Sequence, residues 1–111
     1  DICKKHGVSV ISDEIHHDIV FGDNVHIPSA TVGDYDRILV TLTAATKTFN
    51  LAGCQNSFAI IPDPDIRRRF DGFVEGIRIH GGNPFGYMAG SRVPGRPPMV
   101  RAGKRYHLRQ L

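Results

Sequence analysis

The sequence predicts an α/β fold built on a mostly parallel sheet, and three observations carry that prediction. Three short apolar runs, residues 8–12, 37–42 and 57–61, are separated by segments of glycine, proline and polar residues. The middle one, Arg37-Ile38-Leu39-Val40-Thr41-Leu42, is aliphatic and β-branched without regular polar alternation, as in a strand covered on both faces. An amphipathic helical pattern opens at Asp63-Pro64, directly after the third run.

The elements follow in order. Residues 1–6 read as the last turn of a helix, with Gly7 at the C′ position, where the missing Cβ permits a left-handed turn. The strand 8–12 delivers Asp13 and Glu14 at its end. Residues 29–36 are polar, carry Gly33 and read as a connection with a short helix. The strand 37–42 then presents Thr43-Ala44-Ala45-Thr46-Lys47. Leu51-Ala52-Gly53 lets backbone pack closely behind the lysine, and the strand 57–61 is ended by Pro62. Asp63 is an N-cap with proline at N1. Ile66, Phe70, Phe73, Val74 and Ile77 recur at helical spacing, and Arg67-Arg68-Arg69 reads as a solvated helix face. Asn83-Pro84-Phe85 starts a further helix.

Composition narrows the function classes. With 111 residues, 41% apolar and 23% charged, the chain is in the globular range and holds one domain at most. No apolar run approaches the length of a membrane span and no basic-then-apolar leader opens the chain, so a cytoplasmic protein is expected. Cys3 and Cys54 lack metal spacing and are expected as buried small apolar residues, not a disulfide. The net charge of +3 raises the question of nucleic acid. Its distribution answers against it: residues 1–90 hold eight basic and eleven acidic side chains, and the six remaining Lys and Arg fall in 91–111 with no acid. That tail is broken by Pro and Gly and carries a single aromatic, Tyr106, which is poor material for a nucleic-acid-binding module. No nucleic-acid or membrane partner is expected.

The chemistry concentrates at two strand ends. In open α/β sheets ligands bind beyond the carboxyl ends of strands, and a shielded lysine there is an amine nucleophile towards a carbonyl. Lys47, flanked by Thr43 and Thr46, is in that position. Asp13, with His16 close behind, supplies an acid at a neighbouring strand end. His16, His17, Asp18 and His26 also cluster, but no spacing among them fits a closed zinc site, and no metal is expected.

Asp13-Glu14-Ile15-His16, followed at this interval by Thr46-Lys47-Thr48-Phe49-Asn50-Leu51-Ala52-Gly53 and Gln55-Asn56-Ser57, resembles fold-type I enzymes dependent on pyridoxal 5′-phosphate (PLP). Within the class I and II aminotransferase superfamily it is most similar to the cystathionine β-lyase branch of carbon–sulfur lyases. The resemblance covers residues 1–89 and implies a partial PLP-binding large domain. It implies Lys47 as the catalytic, cofactor-holding amine, Asp13 as partner of the pyridine nitrogen, His16 beside the phenolic oxygen, and Thr43 and Thr46 as cofactor-binding hydroxyls. Ala44 and Gln55 stand where many aminotransferases have a serine and an arginine on the phosphate, which favours the lyase branch. The implied activity is release of thiol, pyruvate and ammonia from a sulfur-containing amino acid. A class I or II aminotransferase is the alternative, and a homodimer is expected for the intact enzyme.

Several family parts are not in this sequence, among them the upstream phosphate loop and the downstream small domain, so a fragment without activity of its own is expected. Residues 90–111 depart from the family. Family members tend to continue Glu-Ala-Ala-Tyr-Arg-x-Gly-x-x-Trp past the Met-Ala pair. Read one base later, the codons for Gly90 to Val100 permit Glu, Ala, Ala, Tyr, Arg, Asp, Gly, Arg, Pro, and Met99 before a valine codon dictates Trp. The basic tail is therefore expected to be a frameshift product without fixed structure.

Overall fold

The computed structural model describes residues 2–78, 83–91 and 108–110. Helix α1 (Ile2–His6) stops as expected at Gly7, whose φ of +64° lies in the left-handed region. Val8 N–H reaches back to the Cys3 carbonyl (2.9 Å) and Gly7 N–H to that of Lys4 (3.4 Å), a Schellman closure. The chain then enters β1 (Val10–Asp13), crosses by way of a 3₁₀ turn (Ser29–Thr31) and returns as β2 (Leu39–Thr43).

β1 and β2 are parallel, in register from Val10 opposite Leu39 to Asp13 opposite Leu42. β3 (Phe58–Ile60) lies antiparallel to β2, and the sheet runs in the order β1-β2-β3-β4, with β4 (Leu108–Gln110) antiparallel to β3. The mostly parallel sheet expected from the sequence is thus a mixed sheet in the stretch this chain supplies. Its parallel part is the pair that ends in Asp13 and leads to Lys47. The connection 44–57 carries only a 3₁₀ turn (Ala52–Cys54), and the strand it delivers runs back beside β2.

Burial is deepest around β2, where Leu39, Thr41 and Thr43 are buried and Val40 and Leu42 half-buried. Leu39, Ala44, Ala59 and Ile61 are the buried apolar residues among those described. Neither Cys3 nor Cys54 is in a disulfide.

Helix α2 (Pro64–Gly76) begins as its sequence dictates. Asp63 Oδ1 accepts from the N–H groups of Asp65 (2.9 Å) and Ile66 (3.0 Å), with proline in the first turn. The Ile66 N–H is the main cause that holds the Asp63 carboxyl below its ordinary pKa against its burial, helped by the Asp65 N–H and by the charges of Arg37 and Arg69. Two expectations for this helix are corrected. Arg67 does not belong to a solvated face: its Nη1 donates to the Ile61 carbonyl at 2.9 Å, closing the strand-to-helix link. Phe73 and Ile77, at the helical spacing of a buried stripe, are exposed, because the described residues place nothing over that end of the helix.

Helix α3 (Pro84–Ser91) starts at Asn83, whose Oδ1 accepts from Phe85 N–H (3.0 Å). Its first turn is keyed into the segment behind the lysine. Asn56, buried, donates from Nδ2 to the Gly86 carbonyl (3.0 Å). A Cβ on Gly86 would meet the Cys54 carbonyl oxygen at 2.9 Å and Asn56 Cβ at 3.3 Å. Gly86→Ala is therefore expected to push α3 off this segment and to destabilise the intact protein by about 1–3 kcal/mol, read as a lowered melting temperature. An unchanged melting temperature would show that the contact yields freely.

The tail differs from its expectation at both ends. Gly90 and Ser91 continue α3, and residues 108–110 pair with β3 in place of being unstructured. The second follows from the open edge of β3, whose unpaired N–H and C=O groups accept any extended segment. The rest of the proposed frameshifted segment, residues 92–107 and 111, lies outside the described residues.

Candidate functional site

Two loops leave the carboxyl end of the parallel pair, and the site is what they enclose. After β1 the backbone turns at once. Ile15 N–H donates to Asp13 Oδ1 (3.1 Å), His17 N–H to the Glu14 carbonyl (3.1 Å) and Ile19 N–H to that of His16 (2.9 Å). Residues 14–18 are therefore a turn, not an extended run, which changes where the two histidines go. His16, the imidazole singled out from sequence, is exposed. His17 turns inward: Nδ1 donates to the Glu14 carbonyl (2.8 Å) and lies 3.3 Å from Thr43 Oγ1, and Nε2 lies 3.5 Å from Asp18 Oδ2.

After β2 comes the lysine turn. Phe49 N–H returns to the Ala45 carbonyl (3.1 Å) and Leu51 N–H to that of Thr46 (2.8 Å), and Asn50 takes φ +53°. Lys47 is exposed on this turn and Thr46 half-buried, whereas Thr43 is buried at the end of β2. Thr48 Oγ1 donates to Asp18 Oδ2 at 3.1 Å. Thr48, Asp18, His17 and Thr43 thus tie the lysine turn to the turn that carries Asp13.

The carboxylate next to Asp13 holds the loop. Glu14 is buried, with 8% of its surface exposed. Oε1 accepts from Ser29 N–H (2.8 Å) and from the Ser12 hydroxyl (3.0 Å), and Oε2 from His26 Nε2 (3.0 Å). Burial pushes the carboxyl up, but the bonds from His26, Ser29 and Ser12 together hold it below its ordinary pKa, so it is ionised at neutral pH. A cavity of about 300 Å³ opens beside it, walled by Asp13, His16, His17, Val20, Val25 and His26. Among the described residues no cluster of three or more His, Cys, Asp or Glu is placed to hold a metal ion.

Asp13 and His16 come together at this cavity, and Thr43 reaches it through His17. Lys47 and Thr46 stand on the adjoining turn, not in the wall. Sequence reasoning passed over the parts played by Glu14, His17, Asp18, Thr48 and His26.

The donor set suits an aromatic aldehyde cofactor. Asp13 offers a carboxylate at a strand end beside a ring-sized cavity, Lys47 a primary amine, and Thr43 and Thr46 hydroxyls. This is part of the α/β large domain of fold-type I enzymes, and the chain belongs to the aminotransferase class I and II family, whose model matches residues 1–78. That family is PLP-dependent. The chain is 41% identical over 90 residues to cystathionine beta-lyase PatB of Bacillus subtilis, covering 80% of this chain and 23% of PatB. It is 40% identical over 76 residues to Protein MalY of Escherichia coli K12, covering 68% of this chain and 19% of MalY. A PLP-bound structure from Clostridium difficile 630 superposes with a TM-score of 0.73 at 41% identity, over 78% of this chain and 22% of that one. The chain therefore spans about a fifth to a quarter of the length of these relatives.

Proposed function

We propose that this chain is the part of a PLP-dependent carbon–sulfur β-lyase that carries its lysine and its pyridine-binding acid. The observation that supports this most is topological. Asp13 closes β1 and Lys47 follows the end of β2, and β1 and β2 are neighbours in a parallel pair, so amine and carboxylate leave the sheet at the same edge.

Lys47 would hold the cofactor through its Nζ and, as a free amine, would serve as general base for the substrate α-proton. Asp13, whose Oδ1 accepts from Ile15 N–H, would hold a proton on the pyridine nitrogen. His16 and the hydroxyls of Thr43 and Thr46 would hold the ring and its substituents. PLP, when bound, supplies the electron sink that makes the α-carbon acidic. With a sulfur leaving group on the β-carbon, the products are a thiol, pyruvate and ammonia.

The 41% identity to PatB supports the lyase. An aminotransferase is the second reading, favoured by the family match over residues 1–78. The working enzyme is proposed as a homodimer acting on a sulfur-containing amino acid in the cytoplasm, without nucleic-acid or membrane partners. The isolated chain, with Lys47 exposed, is proposed to be inactive. A full-length enzyme carrying this segment should release pyruvate from L-cystathionine without any 2-oxo acid. Amino transfer to 2-oxoglutarate with no pyruvate released would replace the lyase with the aminotransferase.

A further inference from the structure

We infer that Glu14 and His26 form a latch that closes residues 15–29 over the Asp13 cavity, which makes both of them positioning residues for the site. The inference rests on the PLP reading only for what the cavity receives. The loop has little to fix it from within. It carries Gly22 at φ +66°, a local bond from Asn24 Nδ2 to the Phe21 carbonyl (2.8 Å), and the exposed apolar side chains Phe21, Val25 and Ile27. Its two ends are instead gathered on one residue, with a further bond at the far end between the hydroxyls of Ser29 and Ser12 (2.7 Å). Glu14 is anchored to the sheet by its own N–H on the Leu42 carbonyl (2.8 Å), its carbonyl takes His17 at the start of the loop, and its carboxylate takes His26 and Ser29 at the end. Val20, Val25 and His26 stand in the cavity wall.

The latch also has a defined polarity. Ser29 N–H can only donate, the Ser12 hydroxyl donates to the same oxygen, and His26 Nε2 faces the other. A carboxylate accepts from all three whether His26 is the neutral Nε2–H tautomer or the imidazolium. A glutamine does not. With its carbonyl kept on Ser29 and Ser12, its NH₂ faces His26 Nε2, which must then be the acceptor and therefore neutral. Glu14→Gln thus makes closure depend on the ionisation of His26, where the native pair does not. Against His26 among the described residues stand Glu14 and, at 5.9 Å between ring centroids, His17, which itself faces Asp18, and the titratable side chains of Asp13 and His16 share the same cavity wall.

The test uses the full-length enzyme without PLP, followed by amide hydrogen exchange across residues 15–29 corrected for intrinsic rates, and in parallel by PLP affinity. Native protection should not fall between about pH 8 and about pH 5, because protonating His26 turns its bond to the Glu14 carboxylate into an ion pair. Glu14→Gln should match it at the upper pH and exchange at least about tenfold faster at the lower, with PLP affinity falling in step. His26→Ala, at a half-exposed site, should raise exchange alike at both pH values. Protection in Glu14→Gln that is native at both pH values, or lost equally at both, overturns the latch. Exchange as expected with no PLP uptake by any form, the native included, leaves the latch standing and overturns the PLP reading instead.

Discussion

Lys47→Ala in the full-length enzyme is expected to abolish both the borohydride-reducible PLP adduct and turnover, the latter by at least about a thousandfold, since one side chain supplies the nucleophilic amine and the base. The loss should come without unfolding. Lys47 is exposed on a turn whose hydrogen bonds run through backbone and through Thr48, so removing its side chain should leave the melting temperature within the small range usual for surface changes. Lys47→Arg is the companion variant: it keeps the positive charge, but a guanidinium does not deprotonate at working pH and cannot form the adduct. Arginine should therefore be as inactive as alanine. A reducible adduct and normal turnover in Lys47→Ala would make the residue structural and remove the centre of the proposed site.

How much of this was legible beforehand depended on whether the signal was local. The Schellman stop at Gly7, the Asp63 cap and the start of α3 at Asn83 are each written in residues a few positions apart, and each stands where the sequence puts it. The three strands were found, with edges shifted by one or two residues, because short apolar runs mark strands but not their ends. Direction was not legible. Nothing within residues 58–60 states that they run against β2, which is decided by how the 44–57 connection returns.

The same division holds in the site. That Asp13 and Lys47 leave the sheet at one edge could be read from order and spacing. The inward His17 could not, because it depends on residues 14–18 turning instead of extending, and the Glu14 carboxylate finds Ser29 and His26 only after the crossover has brought them back. Arg67 was misread for a similar reason: one helix position places it under the Ile61 carbonyl, and a run of three arginines does not say which one turns in.

The 111-residue chain on its own is expected not to fold cooperatively. Ordering a residue costs about 1–2 kcal/mol of backbone entropy, which burial must offset. Here the buried apolar set is Leu39, Ala44, Ala59 and Ile61, and two of those are alanines. Meanwhile Ile11 on β1 is 69% exposed, Phe21 and Val25 are each 82% exposed, and Phe73 on α2 is 66% exposed. β1 ends the sheet with no neighbour beyond it among the described residues, so an unpaired edge lies beside uncovered apolar side chains. Such a chain gains more from pairing with copies of itself than from closing alone. Sedimentation at micromolar concentration should find aggregate, and amide exchange in whatever stays soluble should be within about tenfold of intrinsic rates through β1, β2 and β3. Residues 108–110, paired with the edge of β3, should be no slower. Slow exchange through the three strands in a soluble monomer would show that this piece is a folding unit by itself, and that the apolar faces of Ile11 and Phe73 need no further cover.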